Sequence, residues 1–225
     1  MTSPYRLALL TDPPTWHGRA LSGRSLDLLA VLAGSQDARV TDSVLIETLW
    51  PGDLPARPLR ALHVVVSRVR AVVGEGVVER SGDGYRLMLP EAEVDVRDLS
   101  DRAERVRACA ATGQWDRILD LTGSLPRVLV PDEADDVARA EATPVTLLRE
   151  RAARQVEEAR RDRGLALETA GEHEQAADLL REASQRDGGD ETVLAALMRA
   201  ESWVRSPAAA LEIYEQYRRR LRELG

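Results

Sequence analysis

The apolar positions of residues 57–86 divide that stretch into one long helix and a following hairpin. The run reads RPLRALHVVVSRVRAVVG and then, two residues later, VVERSGDGYRLM. Leu59, Leu62, Val66, Val69 and Val73 recur three and four residues apart. At about 100° per residue they form one stripe that a core must cover. Arg60, Val64, Ser67 and Arg68 fall on the opposite side, with His63 and Arg70 beside them. Strands are expected over 77–80 and 85–89, around the turn Ser81-Gly82-Asp83-Gly84. A helix with an apolar back and an arginine-rich front has the shape and donors to enter a DNA major groove, and the hairpin then reaches the backbone or the minor groove. An ordinary helix with a solvated arginine face shows the same pattern, so the pattern alone leaves both readings open.

Upstream, alternation predicts a short strand over 5–10, a turn at Asp12-Pro13-Pro14, and one or two short strands within 15–21 broken by Gly18. Leu26, Leu28, Leu29 and Leu32 predict a first helix that ends at Gly34, with Ser22 or Ser25 as its cap. Thr41 is a good N-cap for a second helix over 42–49. Val44, Leu45 and Leu49 are expected to face inward there, and Trp50 closes the end. Pro51, Gly52, Pro55 and Pro58 mark the loop before the arginine-rich helix. The order is strands, three helices, then a hairpin.

Past residue 95 the pattern is almost wholly helical. Leu99, Ala103, Val106 and Ala110 begin one helix, which Gly113 ends, and 115–121 forms a second. Residues 123–133, with Pro126 and Pro131, are the least regular. Thr143 caps a long helix that opens on Pro144 and runs to 169 or 170, with Gly164 as a point of interruption. GEHEQAADLL at 171–180 resembles RSPAAALEIY at 205–214, an offset of 34 residues that aligns Ala176 with Ala210 and Leu180 with Tyr214. That is the tetratricopeptide period, and helices starting at His173, Asp190 and Pro207 fit paired-helix stacking.

Charge sharpens the reading of the first half. The 225 residues carry a net charge of −7, yet residues 57–86 hold six arginines against three acids. Local charge governs groove contact, so a basic patch can sit on an acidic protein. All 31 basic residues are arginines, which suits bidentate recognition of guanine or phosphate and equally suits a GC-rich genome. A chain of this length fits one or two domains. It has no apolar run of about 18 residues and no basic segment leading into an apolar one, so neither a membrane span nor a signal peptide is expected, and a cytoplasmic location is. Cys109 is the only cysteine, which excludes an internal disulfide.

Catalytic patterns are missing. There is no GxxxxGK[ST], GxSxG, HExxH or CxxC. His17, His63 and His173 lie in unrelated elements, so no metal site and no cofactor is expected. The acidic cluster Asp132, Glu133, Asp135 and Asp136 reads as a solvated helix start rather than a cation site. The chain is not expected to be an enzyme.

Residues 1–95 resemble the winged-helix effector domain of response-regulator transcription factors. Leu28-Leu29-Ala30-Val31-Leu32, Leu45-Ile46-Glu47-Thr48-Leu49-Trp50, Val66-Ser67-Arg68-Val69-Arg70 and Gly84-Tyr85-Arg86-Leu87 stand where that family's helix and wing signatures stand. Residues 96–225 resemble the bacterial transcriptional activator domain, most strongly over 148–159, 167–171, 191–200 and 209–225. Together these resemble the Streptomyces antibiotic regulatory protein family. Two departures stand out: Val65 occupies a position where the winged-helix family often has His, and a tryptophan-containing activator motif is eroded across 122–132.

The resemblance implies a multidomain α+β plus all-α protein: an N-terminal winged helix-turn-helix over 1–95 and a C-terminal tetratricopeptide-like helical domain over 96–225. It implies a transcriptional activator that binds direct repeats in promoter DNA as a homodimer, recruits RNA polymerase holoenzyme partly through its sigma factor, and controls a secondary-metabolite gene cluster. It also implies that the chain is a piece of a longer regulator. In this reading Arg60, Val64, Ser67 and Arg68 face bases or adjacent phosphates, and His63 and Arg70 touch the backbone. Arg80, Tyr85 and Arg86 set the wing near the minor groove, where Asp83 would repel phosphate. Leu62, Val66, Val69, Leu29, Leu45, Trp50, Leu87, Trp115 and Trp203 are expected to pack, and Tyr214 or Tyr217 to join a subunit contact or the core. The rival reading is a helical module that binds a protein or senses a ligand within a larger regulator.

Overall fold

The computed structural model describes residues 4–35, 39–126, 128 and 143–224. They are mostly helical, with two small antiparallel sheets. In the first sheet β1 (Leu7–Ala8), β2 (Thr15–Trp16) and β3 (Arg19–Ala20) lie in chain order. Then come α1 (Gly23–Ala33), β4 (Val40–Thr41), α2 (Asp42–Leu49), α3 (Pro58–Val73), β5 (Val78–Ser81) and β6 (Gly84–Leu87), with the second sheet ordered β4-β6-β5. A 3-10 turn at Glu91–Glu93 leads into α4 (Asp95–Ala111), followed by α5 (Trp115–Thr122), α6 (Pro144–Thr169), α7 (His173–Arg186), α8 (Glu191–Val204) and α9 (Pro207–Leu224). The chain forms two compact units. One comprises Met1–Asp101 with Arg127–Arg154, the other Arg102–Pro126 with Gln155–Gly225. The acidic stretch 132–136 lies outside the described residues.

The first unit is built on three helices closed by the second sheet. Leu28, Leu29 and Leu32 of α1, Leu45 and Leu49 of α2, Leu62, Val66 and Val69 of α3, and Val78 and Leu87 of the hairpin are all buried. Each such side chain contributes about 1.5–3 kcal/mol by leaving water. Two expected core residues are exposed instead. Leu59 sits in the first turn of α3, beyond the reach of the core, and Val65 takes its place in the buried face. Val44 of α2 is also exposed, so Leu45 and Leu49 are the buried residues of that short helix. Thr41 caps α2 as expected, its side chain accepting from the Val44 amide. Ser22 occupies the N-cap position of α1 without a side-chain bond.

Strand β4 has no counterpart in the sequence reading. It pairs with β6 through Val40 opposite Tyr85 and Thr41 opposite Gly84. Gly84 is required there, because a Cβ at that position would lie 2.1 Å from the Val40 carbonyl oxygen. The hairpin itself is shifted by one residue toward the chain end in β5 and starts one residue earlier in β6 than the alternation suggests.

Two buried charges tie the first unit together. The Asp95 carboxylate accepts the amides of Leu9 at 3.0 Å, Leu10 at 2.8 Å and Val96 at 2.7 Å. Burial nevertheless pushes its carboxyl above the usual range. Arg97 donates to the carbonyls of Ala33 at 3.2 Å, Leu32 at 3.1 Å and Leu89 at 3.4 Å, which satisfies the open C-terminal end of α1. From the first turns of α6, Arg149 donates to the carbonyls of Leu9 and Thr11, and Leu148 is buried against Gly34.

In the second unit, α7 and α8 close one core through Ala176, Ala177, Leu180, Ala183, Val193, Ala196, Leu197 and Ala200, joined by Leu165 and Leu167 of α6. A neighbouring cluster holds Val106, Cys109, Ile118, Ala159 and Ala166. Trp115 packs against both. Gly164 does not interrupt α6. A Cβ there would meet Leu180 at 3.1 Å, so the glycine lets α6 and α7 approach closely. Asp190 caps α8, accepting the Thr192 and Val193 amides at 3.0 and 3.1 Å. Trp203, expected in the core, is 76% exposed: it falls on the last turn of α8, where its ring stacks on His173 at the start of α7 while most of its surface faces solvent.

Candidate nucleic-acid interface

Helix α3 presents two chemically distinct faces. Pro58 starts it at the first helical position, where a missing amide costs nothing, and Gly74 ends it at φ 100°. Leu62, Val65, Val66, Val69 and Val73 are buried along one face. Arg60, His63, Val64, Ser67 and Arg68 are all exposed on the other. Val65 is therefore packed and unavailable to any ligand, whereas His63, two residues earlier, projects on the open side.

Two arginines project from that open face without engagement. Neither Arg60 nor Arg68 has a hydrogen bond or ion pair among the described residues. Arg57, just before the helix and equally exposed, extends the same basic row. Its signal was its spacing, three residues before Arg60.

Arg70 lies at the edge of the helix and behaves differently. It is half-buried, its Nε donates to the Val78 carbonyl at 2.8 Å, and its guanidinium lies 5.9 Å from the Tyr85 ring centre. It fastens α3 to the hairpin. Tyr85 is itself buried at 5% exposure and forms the platform on which Arg70 and Arg80 rest, the latter at 4.8 Å.

On the hairpin the arginines face carboxylates. Arg80 makes a bidentate pair with Asp42, and that hydrogen bonding raises its already high pKa. Arg86 stands 3.9 Å from Glu79 on the neighbouring strand. At the tip, Arg39 pairs with Asp83 at 2.9 Å, so the aspartate expected to repel phosphate has its charge matched. The arginines of the hairpin are matched by carboxylates, whereas Arg60 and Arg68 on α3 have no such partner among the described residues.

Among the described residues no group of three His, Cys, Asp or Glu is placed to hold a metal ion. No described helix is long and apolar enough to cross a membrane.

The family model described as the bacterial transcriptional activator domain matches residues 94–225. The chain belongs to that family. It is 26% identical over 145 residues to the regulatory protein AfsR of Streptomyces griseus, covering 60% of this chain and 15% of that protein. It is 33% identical over 102 residues to the regulatory protein AfsR of Streptomyces coelicolor, covering 42% of this chain and 10% of that one. The chain thus spans less than a fifth of the length of these curated relatives. A solved structure of Mycobacterium tuberculosis EmbR, in complex with a low affinity phosphopeptide, superposes with a TM-score of 0.72 at 20% identity, covering 97% of this chain and 60% of that one. The fold is shared along almost the whole chain. The resemblance to the antibiotic regulatory proteins is borne out, and the family is one of transcription regulators, not of enzymes.

Proposed function

We propose that the chain is the DNA-binding and activating part of a transcriptional activator. In this reading residues 1–95 form a winged helix-turn-helix, and residues 96–225 form a tetratricopeptide-like activator domain. Helix α3 docks in the major groove of direct repeats in promoter DNA. Arg60 and Arg68 donate to guanine O6 and N7 or to flanking phosphates, Val64 meets a thymine methyl, and Ser67 and His63 donate to bases or the backbone.

What carries the reading is the contrast on α3 between a packed face and an open face whose arginines have no partner among the described residues. An arginine serving only to fold the domain would find a carboxylate or carbonyl, as Arg80 and Arg70 do. Tyr85 then acts from beneath, by holding the wing against α3, and Arg80 and Arg86 reach phosphates only by leaving Asp42 and Glu79. Two copies occupy the direct repeat as a homodimer and recruit RNA polymerase holoenzyme through its sigma factor, at a secondary-metabolite gene cluster.

Fluorescence anisotropy on direct-repeat promoter duplexes, across a salt series, tests this. Binding should be sequence-selective and should weaken linearly in log–log form as salt rises. Absence of selectivity over a scrambled duplex would overturn it.

A further inference from the structure

The exposed residues of α3 fall into a central line and two flanks. At about 100° per residue, Arg60, Val64, Ser67 and Ala71 lie along one line directly opposite the buried Leu62, Val65, Val66, Val69 and Val73. Arg68, and Arg57 at the N-cap, are turned about 60° to one side of that line, and His63 about 70° to the other. No acidic residue occurs between Pro58 and Val73. The line thins toward its C-terminal end, from Arg60 and Val64 to the short Ser67 and Ala71. The Ser67 hydroxyl has no hydrogen bond among the described residues, whereas Thr48 of α2 and Thr169 of α6 donate back to the carbonyls of Val44 at 2.7 Å and Leu165 at 2.9 Å.

We propose that Arg60 and Val64 are the residues by which α3 selects sequence, and that Arg57 and Arg68 hold phosphates of one strand. This division rests on the reading of α3 as a groove-binding helix. A helix about 10–12 Å across fills a major groove about 12 Å wide, so the line opposite the core meets base edges and the flanks meet the two backbones. Arg60 stands near the N-terminal end, from which recognition helices reach bases, and its guanidinium takes O6 and N7 of one guanine. Arg57 and Arg68 share a flank roughly 16 Å apart along the axis, which matches phosphates about five nucleotides apart on one strand. His63 faces the other backbone.

Spacing within the line defines a sequence class. Arg60 and Val64 are one turn apart, about 6 Å along the axis, or about two base pairs. Val64 is 44% exposed and carries neither donor nor acceptor, so its favourable partner in the major groove is the thymine methyl. The duplexes selected therefore carry a thymine about two base pairs from a guanine. Ser67 and Ala71 impose no such demand. A hydroxyl both donates and accepts, so Ser67 tolerates several bases, and Ala71 leaves room for the helix backbone to approach the groove floor.

The probe is a randomised duplex pool selected with the full chain, and the recovered sequence is resynthesised for anisotropy titration. A guanine and a thymine two base pairs apart are expected in it. Replacing that guanine by 7-deazaguanine should weaken binding about tenfold, and replacing the thymine by deoxyuridine about threefold, through loss of one methyl contact. Arg60→Ala should erase the first difference and Val64→Ala the second. Arg57→Ala and Arg68→Ala should instead weaken selected and scrambled duplexes equally, each lowering the salt slope by about one. Loss of one discrimination with the other kept is a readout that unfolding cannot imitate. A selected sequence without the pair, deoxyuridine bound as well as thymine, or a changed selected sequence in Arg68→Ala overturns the division while leaving DNA binding by α3 standing. A pool that yields no preferred sequence overturns both.

Discussion

The Arg80 guanidinium and the Asp42 carboxylate meet through two parallel hydrogen bonds, Nη1 to Oδ1 at 2.9 Å and Nη2 to Oδ2 at 2.8 Å. They join the hairpin to the first turn of α2 across 38 residues of sequence. An arginine held in that way is a poor donor to a phosphate, since a new contact must first replace a bidentate one. Arg68 has no such prior engagement among the described residues.

The two residues should therefore separate in binding assays. Arg68→Ala is expected to weaken binding to promoter duplex by about 1–3 kcal/mol and to reduce the salt slope by about one. Arg80→Ala should change affinity by less than about 0.5 kcal/mol and lower stability by up to about 1 kcal/mol. Anisotropy titrations at several salt concentrations, with thermal melts of each variant, check both. Equal effects on affinity would show that the hairpin pair opens when DNA binds.

Gly84→Ala should damage the first unit more than any surface change on α3. The added methyl would sit 2.1 Å from the Val40 carbonyl oxygen and 2.8 Å from the Thr41 Cα. Both obstacles are backbone, so relief requires β4 to separate from β6. The expected loss is about 2–3 kcal/mol, that of an overpacked core. Hydrogen exchange at the amides that pair β4 with β6 should rise first, ahead of those between β5 and β6. Uniform protection in the variant would mean that β4 moves without unpairing.

The sequence carried the helices well because each has a face that must be buried. The stripe of Leu62, Val66, Val69 and Val73, the Thr41 cap and the starts of α7 and α9 all follow from local spacing. What local spacing cannot show is where long-range partners stand. Val40 and Thr41 became a strand only because β6 returns beside them, and two residues leave no alternation to read. For the same reason Arg80 and Arg60 look alike along the chain, although one meets Asp42 and the other meets none of the described residues. Leu59 and Trp203 misled in another way. Both have apolar side chains in helical register, but each sits in a terminal turn and stays largely exposed, Trp203 with only the His173 ring against it.

Arg97→Met tests whether the first unit depends on a buried cation. The methionine keeps much of the apolar stem and removes the donors. It leaves the carbonyls of Leu32, Ala33 and Leu89 without the bonds that Arg97 supplies. Buried unsatisfied acceptors cost about 1–3 kcal/mol each before relaxation, so a loss of about 3 kcal/mol is expected. Chemical denaturation with a probe in the first unit, such as Trp16 or Trp50 fluorescence, measures it. A neutral result would show that water enters to replace the guanidinium.

Acid sensitivity of the second unit should be traceable to Glu168 and Arg199. Arg199 donates Nε and Nη2 to the two oxygens of Glu168 at 2.8 and 2.9 Å. That bidentate bond, outweighing the burial of the carboxylate, holds the Glu168 carboxyl below the usual glutamate range, and the guanidinium charge and His173 add to the effect. A carboxyl whose folded pKa lies below its unfolded value binds its proton more readily once the chain unfolds. Its stabilising contribution is therefore complete above the unfolded value, near 4.5, and is lost as pH falls through the lower folded value. Arg199 is more than half exposed, so solvent screening limits the contribution to about 1 kcal/mol or less. Arg199→Ala should raise the Glu168 pKa, followed by carboxyl-carbon NMR titration, and should lower the melting temperature at neutral pH. The difference between variant and parent should shrink as the pH falls below about 4, where both carboxyls become protonated. A difference that persists unchanged into acid would assign the loss to the arginine's packing along α8 rather than to its bond with Glu168.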